Sequence, residues 1–395
     1  MNILIISAVF FPEPVVSAKL SEDIATSLAE ENNVTVLSPM PTRPFGFVFK
    51  DENKPFDKFK LVRLRSYTCP KSKALGRLRE SYSFGLACKK YISRNFKDID
   101  LIYMNSWPMF SQFVIMKMAI KHDIKVITHV QDVYPESLSN KLPKFSSVLN
   151  FIFMPIDKFV LKNSYRVIAI SSKMKNLLAK TRELTESKIE VVQNWQDEEL
   201  FTNYLQTKKK NSNLLTFMYL GNIGPIAGID LLLEAFSKAN LNNSRLVIAG
   251  SGSKKEALQR NALELNPNTI EFWDVPEGKV PEIQGQADVM LLPIKKGAAS
   301  SSIPSKLPAY MFSKKPIISC VDADSDTALA IKSSSCGWVL PPGNVDALTL
   351  KIKEIGKMTH VELLKTGING FNFAYNNFSK KSNLKRLVSI ITTCK

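Results

Sequence analysis

The 395-residue sequence predicts an α/β protein made of two doubly wound, Rossmann-like domains. Short apolar runs of strand length alternate with segments of helical periodicity, which is the pattern of a parallel sheet covered by helices. This alternation stops over residues 194–213, where polar and basic residues follow one another, and then starts again. The length of the chain also agrees with two domains, because one domain usually has roughly 100 to 200 residues.

The domain boundaries follow from that interruption. We place the N-terminal domain at 1–195, the C-terminal domain at 196–372, and a final helical segment at about 373–395 that returns to the first domain. The predicted strands are 3–7, 33–38, 61–64, 101–104, 125–129, 166–170, 215–220, 245–249, 269–272, 289–292, 317–321 and 337–340. Ligands of open parallel sheets bind beyond the carboxyl ends of the strands, so we expect the site in a cleft that the two domains face.

The composition excludes several classes of protein. The hydrophobic fraction of 45% and the charged fraction of 23% are typical of a globular protein. No apolar run reaches the roughly 20 residues that a membrane span needs. The first residues lack the basic segment and cleavage site of a signal peptide, so we expect a cytoplasmic protein. The five cysteines are scattered without paired spacing, which argues against a disulfide framework or a zinc site.

The net charge of +17 favours an anionic partner. Two basic clusters lie on or beside one amphipathic helical pattern over 75–91, and their members are Lys71, Lys73, Arg77, Arg79, Lys89, Lys90 and Arg94. They predict either a face that holds the protein peripherally on an anionic membrane surface or a solvated basic helix. The apolar cluster at 145–153 is interpreted as ordinary helix burial, with contact to a lipid tail as the alternative. No nucleic-acid-binding motif is visible, so nucleic acid is not an expected partner.

The segment 302–322 is the first candidate for a functional site. A polar turn leads into a short helix that begins with Lys306, and the buried strand 317–321 follows. Backbone N–H groups of such a turn and a lysine at the helix start are suited to hold a diphosphate. The candidate binding residues of this segment are Ser301, Ser302, Ile303, Ser305 and Lys306, and the phosphates are expected to meet Lys306 and the backbone N–H groups of residues 300–303.

A glycine turn is the second candidate. Gly221, Asn222 and Gly224 follow an apolar strand and precede a predicted helix that starts near Ile229. The amides of this turn and the helix dipole are arranged to face a phosphate group, although such turns also occur without any ligand.

These segments resemble glycosyltransferase family 4. In the second half the resemblance rests on 221–224 with 228–236, on 246–252 and on 287–293, and in the first half on 11–14, 129–136 and 193–197. The order of the motifs looks like the bacterial branch that builds capsule, lipopolysaccharide O-antigen or exopolysaccharide units. The resemblance implies the GT-B fold, a nucleotide-sugar donor in the C-terminal domain and an acceptor on the N-terminal domain. It also implies retention of the anomeric configuration and no obligatory metal or other cofactor.

The donor site departs from the family pattern. Relatives often carry Arg and Lys in the glycine turn, where this chain has Pro225 and Ala227, and two glutamates where it has Ser301 and Ala309. The diphosphate must then be met by Lys306, or by Lys295 and Lys296, and the ribose by Ser305 or by the backbone. The family position for the base falls on Trp273 and Val275, and simple packing is the alternative for Trp273.

On the acceptor side, the resemblance gives His129 a contact with the donor sugar or the forming bond. Asp132 and Glu136 are candidates to take the acceptor proton, and Asp132 is alternatively a residue that orients His129 or caps a helix. Glu13 and Ser17, in the loop after the first strand, are predicted to bind the acceptor.

Three functions remain open from the sequence. The first is a retaining glycosyltransferase of the hexosyl or N-acetylhexosaminyl type. It would move a sugar from a nucleotide-sugar such as a UDP-linked N-acetylated hexose, or a deoxy derivative, to a lipid-linked acceptor of the undecaprenyl diphosphate type. It would work peripherally at the inner face of the cytoplasmic membrane. The others are a nucleotide-sugar epimerase and a non-catalytic nucleotide-sugar-binding scaffold subunit, and turnover separates them.

Overall fold

The computed structural model describes residues 1–43, 49, 56–69, 74–105, 109–141, 145–205, 214–265, 269–297 and 303–394. Lys71, Lys73, Ser301 and Ser302 therefore lie outside the described residues. The chain divides into two compact units, of which the first comprises 1–194 with 383–395 and the second comprises 195–382.

The first unit is a parallel sheet of seven strands in the order β3-β2-β1-β4-β5-β6-β7. Its strands are β1 Asn2–Ile6, β2 Asn33–Pro39, β3 Lys60–Leu64, β4 Leu101–Asn105, β5 Lys125–Val130, β6 Arg166–Ala169 and β7 Ile189–Val191. Its helices are α1 Val16–Leu28, α2 Ala74–Asn95, α3 Met109–Lys121, α4 Glu136–Lys141, α5 Ser146–Asn163 and α6 Ser172–Arg182. The order reverses between β1 and β4, so this is the point where the loops after the strands diverge to the two sides.

The second unit repeats the plan with six parallel strands in the order β10-β9-β8-β11-β12-β13. The strands are β8 Leu215–Leu220, β9 Ser244–Ala249, β10 Ile270–Trp273, β11 Val289–Pro293, β12 Ile317–Cys320 and β13 Gly337–Leu340. The helices are α7 Glu198–Leu205, α8 Ile229–Ala239, α9 Lys255–Leu265, α10 Val280–Gly285, α11 Lys306–Phe312, α12 Asp326–Ser334, α13 Val345–Ile355 and α14 His360–Phe378. Here the order reverses between β8 and β11.

Helix α15, Lys380–Thr392, carries the chain back to the first unit. Leu387 and Ile391 are fully buried, and Lys125 donates a hydrogen bond to the carbonyl of Cys394 at 3.0 Å. The second unit thus extends through α14, past the boundary at 372 that the sequence predicts, because α14 packs on α11 through Phe371 and Phe312.

The predicted doubly wound α/β fold is confirmed, with one additional short strand, β7. Each sheet is buried on both faces, because successive strand residues, which point to opposite faces, are both below 3% exposed. Examples are Leu4 with Ile5 on β1 and Val247 with Ile248 on β9. Polar residues set the helix ends: Ser171, Ser325 and Asn344 cap the helices that follow them. No helix among the described residues is both long enough and apolar enough to span a membrane.

One interpretation from the sequence is wrong. The apolar cluster at 145–153 is not simply buried, because its members on one side of α5 point to the surface. The exposed fractions are 60% for Phe145, 57% for Val148, 84% for Phe151 and 50% for Ile152. Phe153 alone among these aromatic residues turns inward, where its ring meets that of Phe110 on α3 at 5.9 Å.

Candidate functional site

The glycine turn lies at the reversal point of the second sheet. Gly221 directly follows β8, and its N–H donates to the carbonyl of Ala249 at 3.0 Å. A Cβ at Gly250, whose φ is +135°, would lie 2.1 Å from the carbonyl oxygen of Gly221. The loops after β8 and β9 therefore approach each other more closely than any side chain would permit.

Lys306 crosses directly over this turn. A Cβ built at Gly221 would lie 2.0 Å from Cε of Lys306 and 3.2 Å from its Nζ. The ammonium also lies 5.4 Å from the centre of the Tyr219 ring. No carboxylate of the described residues pairs with Lys306, and burial lowers the pKa of its ammonium. A partly buried cation without a counter-charge is suited to receive an anion.

Two tyrosines fix the backbone under Lys306. The hydroxyl of Tyr310, on α11, accepts from the N–H of Leu220 at 3.0 Å and donates to its carbonyl at 2.8 Å. The hydroxyl of Tyr219 donates to the carbonyl of Asn222 at 2.6 Å. Both side chains hold the end of β8 and the turn that follows it, so the position of Gly221 is set by these hydrogen bonds.

The other residues predicted to bind the phosphates lie in the loops that follow β8 and β11. Helix α8 begins at Ile229 as predicted, after Gly228 at φ +65°, with no side chain capping its first turn. Asn222 is exposed, and Gly224 accepts from the N–H of Ala227 at 3.1 Å. Lys295 and Lys296 are exposed after β11.

The residues predicted to contact base and ribose are partly buried. Trp273 ends β10, donates from Nε1 to Glu271 at 2.8 Å, and carries the guanidinium of Arg245 at 5.0 Å over its ring. Val275 and Ile303 pack against the core of the second unit. The predicted ligand Ser305 is exposed just before α11, and Ala309, in the family glutamate position, is buried within that helix.

A cavity of about 250 Å³ lies at the reversal point of the first sheet. It is formed by the loop after β1, the end of β4, the segment after β5 and the first turn of α1. Its lining residues are Ser7, Ala8, Val9, Ser17, Asn105, Gln131, Asp132 and Tyr134. Of the two predicted acceptor residues, Ser17 therefore lines this cavity.

His129 lies beside the cavity on β5 and is 1% exposed. Its Nδ1 shares a 2.6 Å hydrogen bond with the hydroxyl of Tyr103, on β4. Burial lowers the pKa of His129 to about 4, so the ring is neutral at physiological pH. Its Nε2 has no hydrogen-bond partner among the described residues.

Asn105, which the sequence analysis did not select, is the register partner of His129 on the neighbouring strand. Its Nδ2 donates to Ser21 Oγ at 3.2 Å and to Ser7 Oγ at 3.4 Å. Its Oδ1 is buried and has no partner within the described chain. The sequence did carry a signal for this residue, since a polar side chain directly follows the apolar run 101–104.

The two carboxylates predicted for acid–base work are engaged in the structure. Asp132 accepts from the N–H of Val133 at 3.0 Å and from the hydroxyl of Ser137, which makes it a residue of the turn before α4. No hydrogen bond joins it to His129, whose Nδ1 is held by Tyr103 instead. These contacts are those of a residue at the start of a helix, which was the alternative prediction for Asp132. Asp132 also lines the cavity of the first unit.

Glu136 lies in a buried ion-pair network. Its carboxylate takes both terminal nitrogens of Arg182, one of them at 2.8 Å, and Asp157 accepts from Nε of the same arginine at 2.8 Å. Arg182 is 0% exposed, so the network joins α4, α5 and α6 inside the first unit. These contacts argue against the catalytic role predicted for Glu136, because its oxygens already bind a structural guanidinium.

Glu13 is also engaged by the protein itself. Its Oε1 accepts from the N–H groups of Thr42 and Arg43 at 2.8 and 2.9 Å, and its Oε2 accepts from the N–H of Phe10 at 3.3 Å. Burial raises the pKa of Glu13, and these amides lower it in part. The carboxylate joins the loops after β1 and β2, and these contacts argue against its predicted role as an acceptor ligand.

Comparisons with known proteins agree with this geometry. The model of Glycosyltransferase Family 4 matches residues 19–200, and that of Glycosyl transferases group 1 matches residues 201–366. A probable glycosyltransferase of Pseudomonas aeruginosa, WbjE, is 21% identical over 81% of this chain and 80% of its own length.

Solved structures share the fold over nearly the whole chain. HepE of Anabaena, solved with UDP-glucose, superposes with a TM-score of 0.68 at 14% identity and full coverage of both chains. WaaG, a glycosyltransferase involved in lipopolysaccharide biosynthesis, gives a TM-score of 0.69 at 13% identity and covers 99% of each chain. The two parallel sheets are those of the GT-B fold. The chain therefore belongs to the glycosyltransferases, with a family 4 region followed by a group 1 region.

Proposed function

We propose that this glycosyltransferase moves a sugar from a UDP-sugar to a lipid-linked acceptor during synthesis of a cell-surface polysaccharide. The observation that carries the proposal is the Lys306 ammonium, which lies partly buried over Gly221 at the reversal point of the second sheet and has no carboxylate partner among the described residues. That is where open parallel sheets bind nucleotides, and a diphosphate supplies the missing negative charge.

Lys306 acts on the leaving group. When the bond between the anomeric carbon and the diphosphate breaks, positive charge develops on the sugar and negative charge on the departing oxygen. A fixed ammonium in a partly buried site stabilises that oxygen without reorganisation, and one such donor is commonly worth about 3 to 4 kcal/mol. Tyr219 and Tyr310 keep the turn in position while the charge develops.

We further propose that the transfer retains the anomeric configuration without an enzyme nucleophile. Glu136 is committed to Arg182, and Asp132 to the turn before α4. The leaving phosphate oxygen then takes the proton of the acceptor hydroxyl on the same face of the sugar. Atoms balance in this step: the acceptor oxygen gains the glycosyl bond, and UDP leaves carrying the proton.

The donor is expected to be UDP-linked, with an N-acetylated hexose or a deoxy derivative as the sugar. HepE was solved with UDP-glucose, which supports a UDP-sugar for a protein of this fold. WaaG, a glycosyltransferase involved in lipopolysaccharide biosynthesis, supports a role in the synthesis of a cell-surface polysaccharide, and a lipid-linked acceptor of the undecaprenyl diphosphate type would fit that role.

A membrane-facing surface on the first unit fits such an acceptor. Helices α2, α3 and α5 cover one face of the first sheet, and α2 and α5 expose apolar side chains. On α2 these are Leu75, Tyr82 and Leu86, interspersed with exposed Arg79, Lys89, Lys90 and Arg94. At the start of α5 they are Phe145, which directly precedes the helix, and Val148, Phe151 and Ile152 within it, and we call these four the α5 patch. Cationic groups would meet anionic lipid headgroups while the α5 patch enters the acyl boundary, as in peripheral membrane proteins.

The test of the proposal is turnover by the purified full chain. A panel of UDP-sugars, beginning with UDP-N-acetylglucosamine, is offered with short-chain polyprenyl diphosphate sugars, and UDP release and product mass are measured. We expect UDP release that requires an acceptor, with a product one sugar heavier. Binding of UDP without turnover would favour the scaffold alternative, and conversion of the UDP-sugar without an acceptor would favour an epimerase.

A further inference from the structure

The guanidinium of Arg43 makes little use of its hydrogen-bonding capacity. Arg43 lies in the loop after β2, its side chain is 16% exposed, and one hydrogen bond joins its Nη2 to Oε1 of Glu80 at 3.1 Å. Its Nε is buried and has no partner among the described residues. Because a guanidinium carries five N–H donors, a partly buried one with so few bonds is costly unless a ligand completes them.

A second arginine binds the same carboxylate. Arg77, in the first turn of α2, donates from Nη1 to Oε2 of Glu80 at 2.5 Å, and its side chain is 14% exposed. Although the sequence pattern predicts a basic surface that includes Arg77, this side chain turns towards Glu80. Glu80 thus divides its two oxygens between two cations, and the pair keeps one positive charge that this carboxylate does not balance.

The charges around the two arginines favour an added negative group. Burial lowers the pKa of the Arg43 guanidinium, Glu80 raises it in part, and the charge of Arg77 lowers it further. Glu13 is the other carboxylate that acts on Arg43, but three backbone N–H groups already occupy its oxygens. Two guanidiniums that are largely removed from water and incompletely balanced are suited to receive an anion.

The Arg43 backbone joins the pair to the cavity of the first unit, although neither arginine lines that cavity. The N–H of Arg43 donates to Oε1 of Glu13 at 2.9 Å. The other oxygen of Glu13 accepts from the N–H of Phe10 at 3.3 Å, directly after the lining residue Val9. Two hydrogen bonds therefore connect the loop that carries Arg43 to the loop that forms the cavity.

Arg77 connects the pair to another residue of the cavity wall. Burial and the charge of Asp132 raise the pKa of Tyr134 to about 12, and the positive charge of Arg77 offsets part of this rise. Tyr134 lines the cavity, so the guanidinium of Arg77 lies close enough to act on a group there. Leu75, two residues before Arg77, is 81% exposed and begins the apolar side chains of the membrane-facing surface. The pair thus lies next to both the cavity and that surface.

We propose that Arg43 and Arg77 bind the diphosphate of the lipid-linked acceptor. Planar guanidinium groups match phosphate oxygens with two parallel hydrogen bonds, and two such groups suit the two phosphates of a diphosphate. The sugar of the acceptor then extends into the cavity, and the lipid chain follows the exposed apolar residues of α2 and the α5 patch. This inference rests on the proposed function, because it assigns one group of the acceptor to named residues of that enzyme.

The arrangement makes the diphosphate a requirement for recognition of the acceptor. An acceptor without phosphate leaves both guanidiniums with the incomplete bonds of the free protein, and a monophosphate supplies oxygens for one of them. The site is separate from Lys306, which belongs to the second unit and is assigned to the donor. Variants of Arg43 and of Lys306 should therefore weaken the binding of different substrates.

Binding is measured without turnover, by titrating the full chain in detergent with farnesyl diphosphate and with farnesol. We expect the wild type to bind the diphosphate at least about tenfold more tightly than the alcohol. Arg43→Gln should weaken binding of the diphosphate by roughly 10- to 100-fold, the range for a lost charge-assisted hydrogen bond, and leave the dissociation constant of UDP within about twofold. Arg260→Gln, which removes an exposed arginine on α9, is the matched control. Equal affinity of the two variants for farnesyl diphosphate would overturn the inference.

The source of the anion and the fold of the variant have their own controls. Inorganic diphosphate that binds as tightly as farnesyl diphosphate would indicate a site for a free anion and overturn the assignment to the acceptor. Arg43→Lys keeps the charge beside Glu80 but loses the planar fork, so its affinity should lie between those of the wild type and Arg43→Gln. If Arg43→Gln lowers the melting temperature, Arg43→Lys carries the comparison, and wild-type affinity in that variant would contradict the inference.

Turnover tests the same residue independently, with the donor and acceptor pair of highest rate in the turnover panel. The wild type should use the diphosphate-linked acceptor at least about tenfold better, in kcat/KM, than the same sugar on a polyprenyl monophosphate. Arg43→Gln should remove most of that preference without changing the KM of the UDP-sugar. Transfer without any preference for the diphosphate would refute this inference and leave the proposed transferase intact. Specific diphosphate binding without any transfer would refute the transferase and leave the diphosphate site standing.

Discussion

Lys306 and Gly221 are structurally interdependent: the lysine side chain occupies the space that a Cβ at position 221 would need, with Cε only 2.0 Å from that point. The two residues come from different segments, one from the turn after β8 and one from the start of α11. Their contact places the Lys306 ammonium at the reversal point of the second sheet. It also makes the glycine necessary for the position of the lysine.

The first prediction follows from that contact. Gly221→Ala should displace the Lys306 side chain and weaken UDP binding, whereas in a Lys306→Ala background the same change should cost much less. The coupling energy from the four proteins is expected at about 1 to 2 kcal/mol, typical of residues in direct contact. Isothermal titration with UDP measures it. Additive effects would mean that Gly221 and Lys306 act on the nucleotide separately.

Glu136→Gln tests the structural role that the contacts give this residue. The variant loses a charged pair with buried Arg182, so the free energy of unfolding should fall by on the order of 2 kcal/mol. Transfer by the folded protein should keep a kcat within about threefold of the wild type, because the carboxylate does no chemistry. Lys162→Met, which breaks an exposed pair with Glu183, is the control for stability and should cost no more than about 1 kcal/mol. A loss of kcat by a factor of about a thousand with normal stability would restore Glu136 as the catalytic base.

The buried neutral state of His129 predicts a pH dependence of stability. Burial lowers its pKa in the folded protein to about 4, from 6.5 as the ordinary value. Above pH 6.5 the ring is neutral in both states, and below it the unfolded chain binds a proton that the folded protein refuses. The free energy of unfolding should therefore fall between about pH 6.5 and 4, by at most on the order of 3 kcal/mol from this residue. Denaturant titrations of the wild type and His129→Gln across this range should differ in slope, and parallel curves would contradict the assignment.

The membrane-facing surface is tested by vesicle sedimentation. Phe145→Ser with Phe151→Ser should reduce binding to vesicles of phosphatidylglycerol and phosphatidylethanolamine by roughly tenfold, since each removes an exposed aromatic ring from the acyl boundary. Leu350→Ser with Val361→Ser is the matched control, because these residues are 68% and 73% exposed on the second unit. Added salt should weaken binding through Lys89 and Lys90. Equal effects of the two double variants would remove the α5 patch from the interface.

Much of the fold follows from the sequence because strand and helix periods are local properties. The alternation of apolar runs located twelve strands, and the break after 194 separated two sheets. The short strand β7, Ile189–Val191, was missed because three residues are too few for a periodic signal. The burial of the cluster at 145–153 was misjudged because apolar composition does not reveal which side of a helix has a neighbour.

The candidate site was only partly accessible from the sequence. Lys306 and Gly221 were selected separately as donor residues, but their mutual contact depends on α11 returning over β8. The contacts of Glu13 and Glu136 could not be predicted, because a carboxylate in a motif gives no sign of the amides or the guanidinium that it binds. Tyr103 was missed for a related reason, since a tyrosine inside an apolar strand reads as core until its hydroxyl is seen on Nδ1 of His129.

The central claim is that Lys306 provides the charge that binds the donor diphosphate, and the dissociation constant of UDP for Lys306→Met tests it most directly. Methionine keeps most of the packing over Gly221 and Tyr219 while it removes the ammonium. We predict about 10- to 100-fold weaker binding, the range for a lost charge-assisted hydrogen bond, with the fold and melting temperature retained. Lys353→Met, on the exposed side of α13, is the matched control and should bind UDP as the wild type does. Equal affinity of Lys306→Met and Lys353→Met for UDP would contradict the account.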